Sequence, residues 1–241
     1  MITSVDNPRV KEVLRLRKSR ARRDEGLFVA EGPREVLRAR EAGLEIDATY
    51  FAPALVDWDD GEEVDERVLR KMSYRGEPEG VLAVVRIPRR TLPENATLLL
   101  VAVGIEKPGN LGAMARTADA AGADAILVAD ARSDPWNPNA IRASTGAVFT
   151  LPIVEATAEE LAALPHRKIA ATLGARTPHT EPDYTQPTAF LIGAEDDGLP
   201  QRYRDLADTH VEIPMRGATA DSLNASTAAA VLLFEAVRQR A

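Results

Sequence analysis

The sequence predicts an α/β protein in two parts, a small α/β unit in front and a larger unit built on a parallel sheet behind it. Three observations carry that expectation. From residue 97 onward the apolar runs TLLLVAV, AILVA, KIAAT and TAFLIG recur, several of them separated by helical segments. Near-continuous apolar strands of this kind mark a parallel sheet covered on both faces. Residues 7–86 show an alternation of their own, and IPRRTLPEN at 87–95 follows a strand and holds two prolines, as a linker does. The expected division is a front domain over 1–88, a linker over 89–96 and a rear domain over 97–241.

Taken in order, the front part reads as a helix near 7–19, a strand LFVAE at 27–31 and a helix PREVLRAREAG at 33–43. A strand at 48–52, a helix near 65–72 and a strand GVLAVVR at 80–86 follow. The acid-rich stretch VDWDDGEEVDE at 56–66 reads as a solvated loop plus the first turn of a helix. In the rear part the strand at 97–103 leads into a helix through LGAMARTADAAG, a strand at 125–129 and a short helix near 138–144. Strands at 168–172, 188–193 and 211–214 then precede a long final helix. The glycine-bearing loops follow strands, and ligands of such sheets collect beyond the carboxyl ends of the strands.

Composition narrows the function classes. A chain of 241 residues with 45% hydrophobic content can bury a sizeable interior. There is no cysteine, so disulfides and thiolate chemistry are excluded, and the three histidines have no carboxylate partner at metal-ligand spacing. No structural metal is expected. No apolar stretch approaches the roughly 20 residues of a membrane span, and MITSVDNPRVKE lacks the apolar centre of a secretory signal. A cytoplasmic protein with no membrane contact is the expectation.

The formal net charge is -7, yet residues 9–23 hold eight basic side chains against Glu12 alone. For a polyanionic partner, placement matters more than the sum. Two readings stand open: a solvated helix face, or an arm whose arginines Arg9, Arg17, Arg20, Arg22 and Arg23 supply phosphate contacts while Val10, Val13 and Leu14 dock it.

Three loops could carry chemistry. In the first, Gly104 and Gly109 have the opening spacing of a phosphate-binding P-loop, but Asn110 and Leu111 stand where Lys and Ser/Thr are required. No strand ends in G-x-G-x-x-G, which counts against a dinucleotide enzyme. What remains is Asn110 beside a glycine-rich turn and Arg116 in the following helix, either a surface arginine or a cation aimed at a phosphate or ribose. The second loop, GAEDDG, carries three successive acids that cannot all face one ion from a tight turn. There Gly193 lets backbone approach a ligand, and Glu195 fixes the neighbouring loop by accepting amide hydrogens. In the third, Pro214 ends a strand, Gly217 permits a turn, and Ser222 and Asn224 stand at the start of the last helix. They are either ordinary caps or part of a polar cradle.

Together these segments resemble the three motifs of the SpoU (TrmH) branch of the SPOUT RNA methyltransferases. The match consists of GNLGAMARTADAAG, LIGAEDDGLP and IPMRGATADSLNASTAAAVLLFEAVR, in that order, and covers roughly residues 97–241. NAIRASTGAVF at 139–149 also fits, and the front part, ending EPEGVLAVVR, resembles the ribosomal-protein-like RNA-binding domain that precedes many such enzymes. Two features depart from the pattern: Lys107-Pro108 stands where Asp-Pro is common, and GATADSLN is one residue longer than in many members.

The resemblance implies a trefoil knot in the rear domain and a homodimer with its site near the interface. It also implies methylation of a ribose 2′-hydroxyl in structured RNA, rRNA in preference to tRNA, with S-adenosyl-L-methionine as cofactor. By position, Thr172, Leu173, Gly174, Gly193, Ile213 and Leu223 would contact the cofactor. Asn110, Arg116, Glu195, Ser222 and Asn224 match the catalytic region, and Arg142 is a candidate RNA contact. The alternative is an RNA-binding protein that keeps the SPOUT fold without turnover.

Overall fold

The computed structural model describes residues 1–219 and 221–241. They form two compact units: Met1–Arg89 with Trp136–Thr150, and Arg90–Pro135 with Leu151–Ala241. The first unit contains helices α1 (Pro8–Arg15) and α2 (Ser19–Glu25), strand β1 (Leu27–Glu31), helix α3 (Pro33–Glu41), and strands β2 (Ile46–Phe51) and β3 (Glu62–Glu63). Helix α4 (Glu66–Met72) and strand β4 (Val81–Arg86) complete its contiguous part. Its sheet runs in the order β1-β4-β2-β3, with β4 antiparallel to both β1 and β2. Val10, Val13, Leu69, Met72 and Leu82 fill the core on one side of that sheet.

The basic segment is two helices, not the single one expected over 7–19. Asn7 caps α1, its side chain accepting from Arg9 N, and Pro8 opens the first turn. The chain leaves the first helix after Arg15, with Leu16 as its C-cap. Arg22 Nη1 donates to Leu16 O at 2.6 Å, and Arg17 Nη2 donates to Lys71 O at 2.9 Å. Gly26, at φ +66°, ends α2 in the left-handed conformation that glycine adopts without strain.

The segment 136–150 joins the first unit although its flanking residues belong to the second. Phe28 of β1 stacks on Trp136, ring centroids 4.7 Å apart, and on Phe149 at 5.7 Å. Between them lie α6 (Pro138–Ser144) and a 3-10 turn, Ala147–Phe149. The expected domain division, contiguous from residue 97, carries no sign of this excursion, because aromatic stacking across more than a hundred residues leaves no local pattern.

The second unit is a seven-stranded sheet in the order β7-β6-β5-β10-β8-β11-β9, parallel at every pairing. Its elements are β5 (Leu98–Val103), α5 (Pro108–Ala120), β6 (Ala125–Ala129), β7 (Ile153–Glu155), α7 (Ala158–Ala163), β8 (Arg167–Ala171) and β9 (Thr177–Pro178). Strand β10 (Thr188–Ile192), helix α8 (Gln201–Arg204), strand β11 (Thr209–Glu212) and helix α9 (Ala225–Arg240) follow. Every residue of β5, β6 and β10 is buried, as a sheet covered on both faces requires. The short elements β7, α7, β9 and α8 escaped the sequence reading. Of these only α7 left a signal, the capping box in which Thr157 and Glu160 bond each other's backbone. No helix among the described residues is long and apolar enough to cross a membrane.

Arg22 is 1% exposed. Replacing it by Met keeps an apolar stem and removes the donor to Leu16 O. The expected loss is about 1–3 kcal/mol for a buried acceptor left unbonded, read as a lower urea midpoint at unchanged slope.

Candidate active site

The carboxyl ends of four neighbouring strands, β5, β10, β8 and β11, deliver the loops singled out in the sequence to one edge of the sheet. Gly104, at φ +64°, turns the chain away from β5, its N–H donating to Ala129 O at 2.9 Å. Helix α5 then begins at Pro108, earlier than expected, because proline suits the first helical position. Asn110 therefore lies in the first turn of a helix and not in a loop.

After β10 the chain doubles back tightly. Ala194 pairs with Gly198, whose N–H donates to Ala194 O at 3.0 Å and whose φ is +64°. Gly193 has no room for a side chain: a Cβ there would stand 2.2 Å from the carbonyl carbon of Gly198. This turn lifts Glu195 between the starts of two helices. Its carboxylate accepts from Lys107 Nζ at 2.8 Å, from Asn110 Nδ2 at 2.6 Å and from Asn224 Nδ2. Asn224 Nδ2 also approaches Asn110 Oδ1 at 3.3 Å. The hydrogen bond from Lys107 leads in holding the Glu195 carboxyl below its ordinary range, against the opposing effect of desolvation.

Asn224 is a helix cap that also bonds the neighbouring loop. Its Oδ1 accepts from Ser226 N at 2.9 Å and so caps α9, while its amide nitrogen serves Glu195. Ser222 lies before that cap and is exposed. Gly217 has no positive φ, and a Cβ on it would meet open space, so the turn there does not demand glycine.

Beside this cluster lies a cavity of about 280 Å³. Ile192, Leu199, Val211 and Ala228 line it with apolar surface, and Thr172, Leu173, Gly193, Ile213 and Leu223 line it as well. Five of the six residues nominated for the cofactor thus meet at one cavity. Gly174 does not line it; its N–H is spent on Glu212 Oε1 at 2.9 Å. Glu195 and Ser222 border the same space, and Asn110 borders a smaller recess that shares Glu195. Arg116 lies on α5, exposed, in contact with neither cavity and bonded to none of the other four nominated side chains. Two residues of this region were missed. Lys107, noted only as a departure from Asp-Pro, is the cation that holds Glu195. Arg204 lines the larger cavity with its Nε buried and unbonded, and nothing in QRYR signalled it. Among the described residues no group of three or more His, Asp or Glu is placed to hold a metal ion.

The five arginines nominated in the basic segment fall into two groups. Arg22 is buried and bonded to Leu16 O, so its nomination as an RNA contact is corrected: burial puts its guanidinium out of reach of a phosphate. Arg17, although exposed, donates to the carbonyls of Lys71 and Ser73. Arg9 pairs with Glu62 and Arg20 with Asp24 at 3.5 Å, both at the surface, and Arg23 is exposed. Arg142 is exposed on α6.

A seven-stranded parallel sheet with glycine-turned loops converging on a polar cluster and a cavity of mixed polar and apolar lining is the architecture of a cofactor-binding α/β enzyme. Residues 97–234 match the SpoU rRNA Methylase family, and the chain belongs to it. Residues 7–83 match the MRM3-like substrate binding domain. Among relatives, a 23S rRNA (uridine(2479)-2′-O)-methyltransferase of Streptomyces viridochromogenes is 40% identical over 68% of this chain, and the match spans 61% of that relative's length. A solved RNA 2′-O ribose methyltransferase is 42% identical at a TM-score of 0.85, over 99% of this chain and 98% of that one. An AdoMet-bound rRNA methyltransferase from Sinorhizobium meliloti is 32% identical at a TM-score of 0.87, over 98% and 97% of the two chains.

Two outcomes follow from this geometry. Gly193→Ala forces the turn apart and should abolish ligand binding at the cavity while leaving far-UV circular dichroism unchanged; calorimetry with S-adenosylmethionine measures it. Because the folded-state pKa of Glu195 is depressed, its tether contributes fully above the ordinary carboxylate range and is lost as pH falls through the depressed value. The difference in melting temperature between the native chain and Glu195→Gln should therefore shrink as pH falls below the ordinary carboxylate range.

Proposed function

We propose that this protein transfers the methyl group of S-adenosylmethionine to a ribose 2′-hydroxyl of ribosomal RNA, working as a cytoplasmic homodimer. The observation that carries it is the meeting of Thr172, Leu173, Gly193, Ile213 and Leu223 at one cavity, beside the Asn110–Glu195–Asn224 cluster. That cavity fits the cofactor chemically. Apolar walls suit an adenine ring, and the backbone along Thr172–Leu173 and Gly193–Ala194 offers hydrogen-bonding groups for its polar edge. When bound, the cofactor supplies an electrophilic methyl on a sulfonium sulfur.

The protein's own task is placement. A ribose hydroxyl must be held in line with the methyl carbon and shielded from water. Arginine stays protonated and is a poor general base. Arg116 therefore grips the phosphate beside the target ribose and orients the hydroxyl, while Asn110, Ser222 or a water takes part in the departure of the hydroxyl proton. Glu195 acts behind these groups: it fixes Asn110 and Asn224 with respect to each other.

The relatives named above as rRNA 2′-O-methyltransferases support rRNA over tRNA as substrate. The match of residues 7–83 to a substrate-binding domain supports RNA capture by the front unit. Phe234, 47% exposed on α9, supports burial of that helix against a second copy. Insertion of the late strand β10 between β5 and β8 supports the threaded path of a trefoil knot.

Arg116→Ala should lower methyl transfer to rRNA by roughly 100-fold, the scale of a misplaced reactant, with cofactor affinity nearly unchanged by calorimetry. A variant that keeps substantial activity removes Arg116 from the mechanism.

A further inference from the structure

The cavity beside Glu195 is lined by an arginine that no group among the described residues engages. Helix α8 carries two arginines in different surroundings. Arg202 is exposed, pairs with Asp130 and lies over the Tyr203 ring at 5.1 Å. Arg204, two residues on, is half-buried and lines the cavity. It makes no hydrogen bond and no ion pair among the described residues. Its Nε is sealed inside the protein without an acceptor, whereas its two Nη groups are not sealed. A buried donor left unbonded costs stability, and core packing gives no reason for it, since Tyr203 is the α8 side chain in the core.

The charges around the same cavity narrow what Arg204 could bind. It is the one cation of the lining, and Glu195, Asp196 and Asp197 are the acids. All three acids belong to the turn that precedes α8, yet none pairs with Arg204 among the described residues. Glu195 is held by Lys107, and Asp197 has Arg132 at 3.6 Å. Arginine bonds carboxylates strongly, so an arginine serving the fold alone would be expected to settle on one of them. Instead the cavity presents both signs of charge to one space. A ligand that matches carries positive and negative groups on one frame, whereas a plain polyanion is opposed by the three acids.

We propose that the Arg204 Nη groups bind the carboxylate of the methionine part of S-adenosylmethionine. The sulfonium and ammonium of that molecule are positive and suit the acids of the 195–197 turn; its carboxylate alone is negative. A guanidinium matches a carboxylate with two parallel N–H···O bonds. Burial of Nε holds the planar fork in place, so little freedom is lost when it binds. The proposal rests on the reading of this cavity as the cofactor site and deepens it, by naming the side chain that recognises the amino-acid end.

Calorimetry on the full-length chain with S-adenosylmethionine and with its decarboxylated form, which keeps the adenosine, sulfonium and amine, tests it. The native chain should bind S-adenosylmethionine roughly tenfold more tightly, the scale of a hydrogen bond to a charged group. Arg204→Met should remove that advantage by weakening S-adenosylmethionine while leaving the decarboxylated form unchanged. Arg204→Lys, a point charge without the fork, should keep only part of it. Equal binding of the two ligands by the native chain, or an undiminished preference in Arg204→Met, overturns the assignment and leaves the cofactor site standing. Should Arg204→Met not fold, Arg204→Lys decides, and an undiminished preference there overturns the assignment. Binding of neither ligand by the native chain overturns the cofactor reading and the assignment with it. An rRNA transcript is titrated in parallel without cofactor. RNA affinity that falls in Arg204→Met while the ligand preference stays gives the cation to a phosphate and overturns the proposal.

Discussion

The candidate active site depends on one carboxylate. Glu195 sits on a three-residue turn and gathers the first turn of α5, through Lys107 and Asn110, and the cap of α9, through Asn224 and the Ala225 amide. These groups come from segments more than a hundred residues apart in the chain. No covalent link holds them, and neither helix start would be fixed by its own sequence to the tolerance that positioning a reactant demands. A charge-assisted hydrogen bond from Lys107 keeps the carboxylate ionised, and the ionised form can accept from several donors at once. A neutral acid would give up one of its acceptor positions to its own proton.

The same constraint explains the glycine before it. Gly193 is needed for closeness and not for an unusual backbone angle, because the turn packs its own backbone against the spot a Cβ would fill. Only a turn this tight returns the chain to Leu199, which lies in the core beneath the sheet edge, within the span that also lifts Glu195. Gly217, by contrast, meets no neighbour, so the two glycines that look alike as punctuation have different physical standing.

Legibility in the sequence followed the range of the interactions. The strands β5, β6 and β10 were legible because burial on both faces leaves a near-continuous apolar run. The convergence of the loops was legible because parallel strands send their carboxyl ends to one edge. The start of α5 could have been placed at Pro108 and the existence of α7 read from Thr157 and Glu160, since both signals are local. What sequence could not reveal was settled by distant partners. Phe28 draws residues 136–150 into the front unit through Trp136 and Phe149. In the basic run, Arg22 has the same flanking chemistry as Arg23, yet one is buried and the other exposed, because only helix geometry decides which arginine faces the Leu16 carbonyl. The cofactor nominations came from family resemblance and not from periodicity, which explains why backbone positions such as Ile213 were named while Arg204, a side chain with no motif, was not.

The distinction among arginines also decides how an acidic protein can meet a polyanion. Surface ion pairs such as Arg9–Glu62 and Arg20–Asp24 are weakened by solvent, so their arginines can exchange a carboxylate for a phosphate at little cost. Arg22, bound to a carbonyl inside the fold, cannot exchange without leaving that carbonyl unbonded. The charge available to RNA is therefore smaller than the eight basic residues at 9–23 suggest, while the net -7 of the whole chain overstates the repulsion, because some of its acids are the exchangeable partners of those arginines. Affinity drawn from a few exchangeable contacts falls with salt less steeply than the residue count implies. Discrimination between RNA sites must then come from contacts that phosphates cannot provide.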